Sequence, residues 1–275
     1  MNMSSGNVCN VSFKSISNKI GETIHKKQLI GKGDVVAVGL SGGKDSFLLL
    51  EALVDRLRHF PFIVKIHAIH VHVNGIGYAA DDEKLAGFCQ TMNVPYHLVN
   101  TSADLNKDKK KSPCFVCSWA RRKKLFDETR KLGCNKLALG HHADDALETM
   151  LMNMIWHGSI SSMPYRLDMF NKRLTLIRPM LDLNENDVLS CTEKRKYPIL
   201  HKECPYSQKT RRDEMKQLLA SLETHNKHIR KNLFRSMNNI CLEYLPNGIN
   251  SCIHSETAVE IKAKPVNRVN PNYTQ

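Results

Sequence analysis

The chain has 275 residues, enough for one large domain with an appendage and a substantial core. Hydrophobic residues make up 41% and charged residues 24%, an ordinary globular balance, and no apolar run approaches the roughly 20 residues that span a bilayer. Forty Lys and Arg against 27 Asp and Glu leave a formal charge of +13, which favours a polyanionic partner, nucleic acid first.

The opening MNMSSGNVCNVSFKS has no basic-then-apolar pattern of a secretory signal, so the expectation is a cytoplasmic protein without a membrane part. Residues 1–25 read as an N-terminal segment. Val35–Leu40 reads as a short buried strand and Phe47–Leu57 as a helix with apolar residues at helical spacing. Phe62–Val73, rich in Ile and Val, is a second strand. Asp81–Met92 is helical, and Tyr96–Val99 is a short strand. Thr101–Ser112 is polar and lysine-rich and reads as a loop. Ser118–Leu132 is a basic helix, Lys136–Gly140 a strand and Ala143–Trp156 a helix. Strands alternating with helices imply an α/β fold with a parallel sheet and right-handed crossovers. After Gly158 the rhythm changes. Leu174–Met180 is one more strand, and Asn184 caps a helix running to about Lys196, with Pro198 beyond it. Gln208–Leu222 and Asn226–Ile240 read as helices. From about Ser255 the chain is polar and aperiodic, a loose tail.

The first strand runs into Ser41-Gly42-Gly43-Lys44-Asp45-Ser46 and then into a helix. Glycines allow backbone angles closed to other residues, and such a turn aims several N–H groups at one point. The helix dipole strengthens that anion nest, Lys44 adds a mobile positive charge, and Ser41 and Ser46 add hydroxyls. The spacing matches neither G-x-x-x-x-G-K-[ST] nor G-x-G-x-x-G. A second turn, Gly140-His141-His142-Ala143-Asp144-Asp145, also lies between a strand and a helix on the same sheet edge. Its carboxylates suit Mg²⁺ beside phosphates, or the capping of their own helix. There are nine cysteines, and a reducing compartment argues against a disulfide framework. Cys114-Phe115-Val116-Cys117 forms a C-x-x-C that suits a metal, a cluster or redox chemistry, with Cys204 in a loop-like stretch as a candidate third ligand. Cys9, Cys89, Cys134, Cys191, Cys241 and Cys252 are isolated and read as packing or incidental residues.

SGGKDS resembles the motif of the PP-loop ATP pyrophosphatases, which cleave ATP between the α and β phosphates. Further segments follow in one order: PCFVCSWARR, LALGHHADDALETMLMNMIWHG, MPYRL, LIRPMLDLNENDV and YPILHKECPYSQ. Together they make residues 20–240 similar to the TtcA-like tRNA-cytidine 2-sulfurtransferases, the tRNA 2-thiocytidine synthetase family. The resemblance implies a Rossmann-like, adenine nucleotide alpha hydrolase-like sheet with helices on both faces. It implies a PP-loop domain over residues 26–200, a helical C-terminal part over 201–254 and a tail over 255–275. ATP would sit on Ser41, Gly42, Gly43, Lys44, Asp45 and Ser46, near Gly140 and His141. Lys44 would neutralise phosphate charge, with Asp45 and Asp144 placing Mg²⁺ or the reacting groups. Cys114, Cys117 and Cys204 would hold a 4Fe-4S cluster with one iron open. A persulfide on one cysteine, or zinc on the same thiols, are competing chemistries. Such relatives often carry a C-x-x-C near the position of Cys204, where this chain has Ser207 three residues on. The implied partners are tRNA at its anticodon loop, a sulfur donor such as a cysteine desulfurase, and a second copy of the chain. Lys107–Lys111, Arg121–Lys124 and His225–Arg235 suit phosphate contacts, and Trp119 suits either base stacking or the core. The alternatives are a tRNA uridine thiolase, a lysidine-type ligase, a small-molecule sulfur transferase, or a non-catalytic nucleotide- or RNA-binding protein.

Overall fold

The computed structural model describes residues 11–74, 81–103, 112–199, 210–245 and 252–253. Cys204, the Lys107–Lys111 run and the expected tail lie outside the described residues. The chain divides into two compact units. The first comprises Met1–Ala143 with Pro164–Ser207, and the second Asp144–Met163 with Gln208–Gln275.

The first unit opens with α1 (Phe13–Lys26), where the sequence reading assigned no element. Ser12 caps it by accepting from the Ser15 N–H, and Ile16, Ile20 and Ile24 form a buried stripe at four-residue spacing. Six strands then build one sheet: β1 (Val35–Gly39), β2 (Lys65–Asn74), β3 (Tyr96–Ser102), β4 (Lys136–Ala138), β5 (Arg166–Met169) and β6 (Leu174–Ile177). Their spatial order is β3-β2-β1-β4-β6-β5, parallel throughout except for β5, which pairs antiparallel with β6 at the edge. That edge strand was not anticipated, because the Arg-Leu-Asp-Met alternation of Arg166–Met169 is only four residues long and largely exposed. Between the strands run α2 (Lys44–Leu57), α3 (Asp82–Thr91) and α4 (Pro113–Lys131), and α6 (Glu185–Arg195) follows β6. Asn184 caps α6 by accepting from the Asp187 N–H, as its position suggests.

Two cores hold the sheet between helices. On one face, Val36 and Val38 of β1 pack with Ile20, Leu49, Leu85 and Val188 from α1, α2, α3 and α6. On the other, Ala37, Ile69 and Leu137 pack with Phe126 of α4. The alternation along β1 follows from the strand's two-residue period, and burial on both faces explains its unbroken apolar run. Within the first core Phe47 meets Phe88 edge-on, with ring centroids 4.8 Å apart, and stacks with Tyr197 at 5.7 Å.

The second unit contains α5, whose helix begins at Ala143 and runs to His157, with α7 (Arg211–His225) and α8 (Ile229–Ser236). Its core joins Leu147, Met150 and Leu151 of α5 to Met215 and Leu219 of α7. Thr210 and Asp213 form a reciprocal capping box at the start of α7. The helix expected to reach Ile240 stops at Ser236, and Ile240–Cys241 instead pairs as β7 with β8 (Cys252–Ile253).

Candidate functional site

β1 occupies the sheet's switch point. From it the chain builds outward to β2 and β3, then returns to place β4 on its other side. Ligands of open α/β sheets bind in the crevice at the carboxyl ends of the strands flanking such a point. The carboxyl end of β1 leads into Ser41–Ser46, and that of β4 leads into Gly140–His141.

Only one of the paired glycines needs its conformational freedom. Gly42 has φ +79°, in the left-handed region, whereas Gly43 is extended with φ −90° and ψ 159°. Gly43 is the N-cap of α2 and supplies no side-chain cap, so the start of the helix presents backbone N–H groups rather than a capping oxygen. The helix starts at Lys44, three residues ahead of the sequence estimate. Ser46 is buried at 4% exposure, and its hydroxyl fastens the turn. It donates to the Gly43 carbonyl at 2.8 Å and accepts from the Ser41 N–H at 3.1 Å. Lys44 Nζ rests on the Asp45 carboxylate at 2.8 Å. Both side chains are partly exposed, so exchange of that carboxylate for a phosphate costs little desolvation.

Gly140 closes on this turn. A Cβ there would lie 2.9 Å from the Asp45 carbonyl oxygen, below any normal contact. The absence of a side chain therefore lets the two motifs meet backbone to backbone.

Two residues in this region received no role from sequence. His70, on β2 and 2% exposed, bonds through Nδ1 to the Leu40 carbonyl at 2.7 Å. A carbonyl only accepts, so Nδ1 carries the proton, and the bond braces the residue entering the turn. Arg178 stands just past β6 and is 8% exposed. Its Nε donates to His141 Nδ1 at 3.4 Å and its Nη1 to the Pro164 carbonyl at 2.6 Å. A histidine at the downstream half of an apolar strand, and an arginine ending another, were the available signals.

The thiol pair sits differently from the sequence reading. α4 begins at Pro113, so Cys114 lies in its first turn and Cys117 opens the second, and both belong to the helix rather than standing beside it. Pro113 at the start and Ser112 as cap fix that beginning. Spacing of three on a helix puts both sulfurs on one side. Cys114 is exposed and Cys117 half-buried, and both are thiols rather than disulfide-bonded. Arg121, one turn on, reaches the Cys117 sulfur with Nη2 at 4.0 Å. This donor set fits two ligands of a thiolate-bound cluster. No group of three metal-ligating side chains occurs among the described residues. Trp119, on the same helix, is 49% exposed with Lys123 Nζ 5.4 Å from its ring centroid, so it is not a core residue.

In the second unit Asp144 is 3% exposed and ion-paired with Arg230 at 2.6 Å. Arg230 also holds Glu223, while Arg212 bridges Asp145 and Glu148. The guanidinium of Arg211 lies 5.2 Å from the ring centroid of Trp156. No helix among the described residues is long and apolar enough to cross a membrane.

Residues 14–222 match the family model described as a PP-loop domain. A tRNA-cytidine(32) 2-sulfurtransferase of Geobacter sulfurreducens is 33% identical over 242 residues, covering 86% of this chain and 93% of that protein. The enzyme of the same name from Geotalea daltonii is 35% identical over 238 residues, covering 83% and 92%. Among solved structures, the U34-tRNA thiolase NcsA from Methanococcus maripaludis, with its [4Fe-4S] cluster, superposes with a TM-score of 0.69 at 28% identity. The match covers 82% of this chain and 77% of that one.

Proposed function

This chain belongs to the PP-loop family, among the tRNA-cytidine 2-sulfurtransferases, and from that membership we propose that it replaces the C2 oxygen of a tRNA cytidine with sulfur at the expense of ATP. The relatives' names give cytidine 32, in the anticodon loop, as the target carried over to this chain. The observation that carries the reading is the closure of Gly140 on the Asp45 backbone, which joins the two phosphate-side motifs at the switch point.

ATP lies with its phosphates over Gly42–Ser46. The N–H groups at the start of α2 and the Lys44 ammonium, released from Asp45, offset the charge that builds on the α and β phosphates. The cytidine O2 attacks the α-phosphorus, and the bond to the bridging oxygen breaks with its electron pair leaving in pyrophosphate. Adenylation turns a poor leaving group into AMP. Sulfide-level sulfur (HS⁻) then adds at C2 and loses its proton, and AMP departs with the original oxygen and the electron pair of the C–O bond. Asp45, with Lys44 turned to phosphate, would hold magnesium.

Cys114 and Cys117, with Cys204 as the third ligand, would hold a 4Fe-4S cluster. When bound, such a cluster supplies an iron with an open coordination position for sulfur delivery. The chain's own contribution is to hold both thiols one helical turn apart on one side of α4, with Cys117 beside the Arg121 charge. A cysteine desulfurase as sulfur source, a homodimer and a cytoplasmic location belong to the same reading.

Mass spectrometry of nucleosides in tRNA from cells with and without the gene tests it. Loss of 2-thiocytidine alone is expected, and an unchanged thionucleoside profile would sink it. The likeness to a U34-tRNA thiolase supports one second reading, uridine thiolation by the same machinery, for which 2-thiouridine would disappear instead.

A further inference from the structure

We propose that Arg178 is a positioning residue of the nucleotide site: it fixes the His141 imidazole in its neutral form with the proton on Nε2, so that His141 is an N–H donor to an ATP phosphate. The proposal rests on the reading of the Ser41–Ser46 turn as the ATP site.

The argument starts from what a guanidinium can do. It donates through every nitrogen, accepts through none, and stays protonated in proteins. In the contact between Arg178 Nε and His141 Nδ1 the imidazole nitrogen must therefore be the acceptor. A neutral imidazole accepting at Nδ1 carries its single proton on Nε2. An imidazolium would oppose N–H to N–H across the same 3.4 Å, so the contact as it stands has Nδ1 as acceptor.

Arg178 is itself held. It is more than nine-tenths buried, with Nη1 on the Pro164 carbonyl at 2.6 Å and its backbone N–H on the Tyr165 carbonyl at 2.9 Å. Burial of a guanidinium is expensive unless its donors are used, and the contacts to His141 and Pro164 use them and fix its orientation. The topology gives the role its location. β6 pairs with β4 through Ile177 and Ala138, Arg178 is the next residue after Ile177, and Gly140–His141 follow Ala138 by two residues. Gly140 touches the Asp45 and Ser46 backbone. A buried charge, an imidazole and the anion turn thus stand in sequence along one sheet edge. The arrangement mirrors His70 on the other side of β1, where the Leu40 carbonyl demands the opposite tautomer.

The test uses the full-length protein labelled with ¹⁵N at its 13 histidines, with the His141 ring signals assigned by their disappearance in His141→Gln. In the wild type the His141 ring should show an unprotonated Nδ1 and a protonated Nε2. Loss of one hydrogen bond to a charged phosphate corresponds to about tenfold in ATP affinity, so Arg178→Gln and His141→Gln should each weaken ATP binding by roughly that factor. The double variant should be no weaker than either single one, because the two residues act as one unit. Arg178→Lys, which keeps a cationic donor, should recover part of the loss. Circular dichroism separates misfolding from loss of binding, and the wild-type tautomer needs no variant to be stable.

ATP binding by a wild type whose His141 is protonated on Nδ1 overturns the proposal alone. So do losses that add in the double variant, or a folded Arg178→Gln with unchanged affinity. A wild type that binds no ATP overturns the reading of the turn as well.

Discussion

Gly140 shows how much can depend on one missing methyl. The atoms a Cβ would meet are the Asp45 carbonyl oxygen at 2.9 Å and its carbon at 3.0 Å, and neither can rotate away as a side chain would. Gly140→Ala is expected to separate the two turns, weakening ATP binding at least tenfold and costing about 1–3 kcal/mol of stability. ATP titration and urea unfolding measure the two effects, and unchanged ATP affinity would refute the closure argument. At Gly42 a side chain meets a conformational cost, because φ is +79°. The cysteines divide by the same local logic. Burial pushes the Cys89 thiol up to about 12 and the Cys134 thiol up to about 11. At pH 8 their thiolate fractions are therefore on the order of 10⁻⁴ and 10⁻³, and the thiolate is the reactive form. A short iodoacetamide pulse on cluster-free protein, read by peptide mass spectrometry, should label exposed Cys114 well before either. Early labelling of Cys89 or Cys134 would mean that these thiols are not sealed in the core.

Helix starts are where element and chemistry meet in this chain. α7 depends on its capping box: Thr210 accepts from the Asp213 N–H at 3.3 Å, and Asp213 accepts from the Thr210 N–H at 2.8 Å. Thr210→Ala should cost about 1 kcal/mol in urea unfolding. The bonds from the Thr210 backbone and hydroxyl hold the Asp213 carboxyl below the usual carboxylate range. A lowered native pKa means a contribution present above the unfolded carboxylate value, near about 3.9, and lost as pH falls through the lower native value. The Thr210→Ala deficit should accordingly be full at pH 6 and shrink in acid, and a deficit that grows below pH 4 would contradict the cap. Such starts were only partly legible in sequence. Asn184 was readable as a cap because an acidic first turn and a later proline frame the helix. α4 was read five residues late, at Ser118 instead of Pro113, because Pro-Cys-Phe-Val-Cys looks like a loop motif while Ser112 and Pro113 are in fact cap and first turn. α1 escaped because its stripe of Ile16, Ile20 and Ile24 is embedded in polar residues. The phosphate turn was legible because a buried strand, glycines and a helix follow each other locally. Arg178 and His70 were not, because their partners His141 and Leu40 are 37 and 30 residues away in sequence and only the sheet order brings them together.

On the scale of the whole molecule, the +13 charge is a poorer guide than the way individual cations are used. Some are committed internally. Arg230 is held between Asp144 and Glu223, and Arg212 between Asp145 and Glu148, inside the second unit. Removing Arg230 takes an ion pair from the carboxylate of Asp144, whose side chain is 4% exposed, and should cost about 3 kcal/mol of stability. Lys227, Lys231 and Arg235 are exposed instead, and α8 buries none of its residues. Leu233 and Phe234 seat α8 on the core of the second unit by one face, which leaves Lys231 and Arg235 on the exposed face, where they suit a phosphate backbone. Binding that neutralises about five phosphates loses on the order of a hundredfold in affinity between ~50 and ~200 mM salt, through counterion release. Lys231→Glu should lower the slope of log affinity against log salt by about one and weaken tRNAs of different sequence alike. Arg230→Ala should act first on unfolding, with binding lost only as the fold is lost. Filter-binding titrations of tRNA across a salt series, paired with unfolding curves for both variants, separate the two kinds of cation. If Lys231→Glu leaves the salt slope unchanged while the protein remains folded, α8 does not lie on the RNA, and the charge that meets tRNA is to be sought on α4, among Arg121–Lys124.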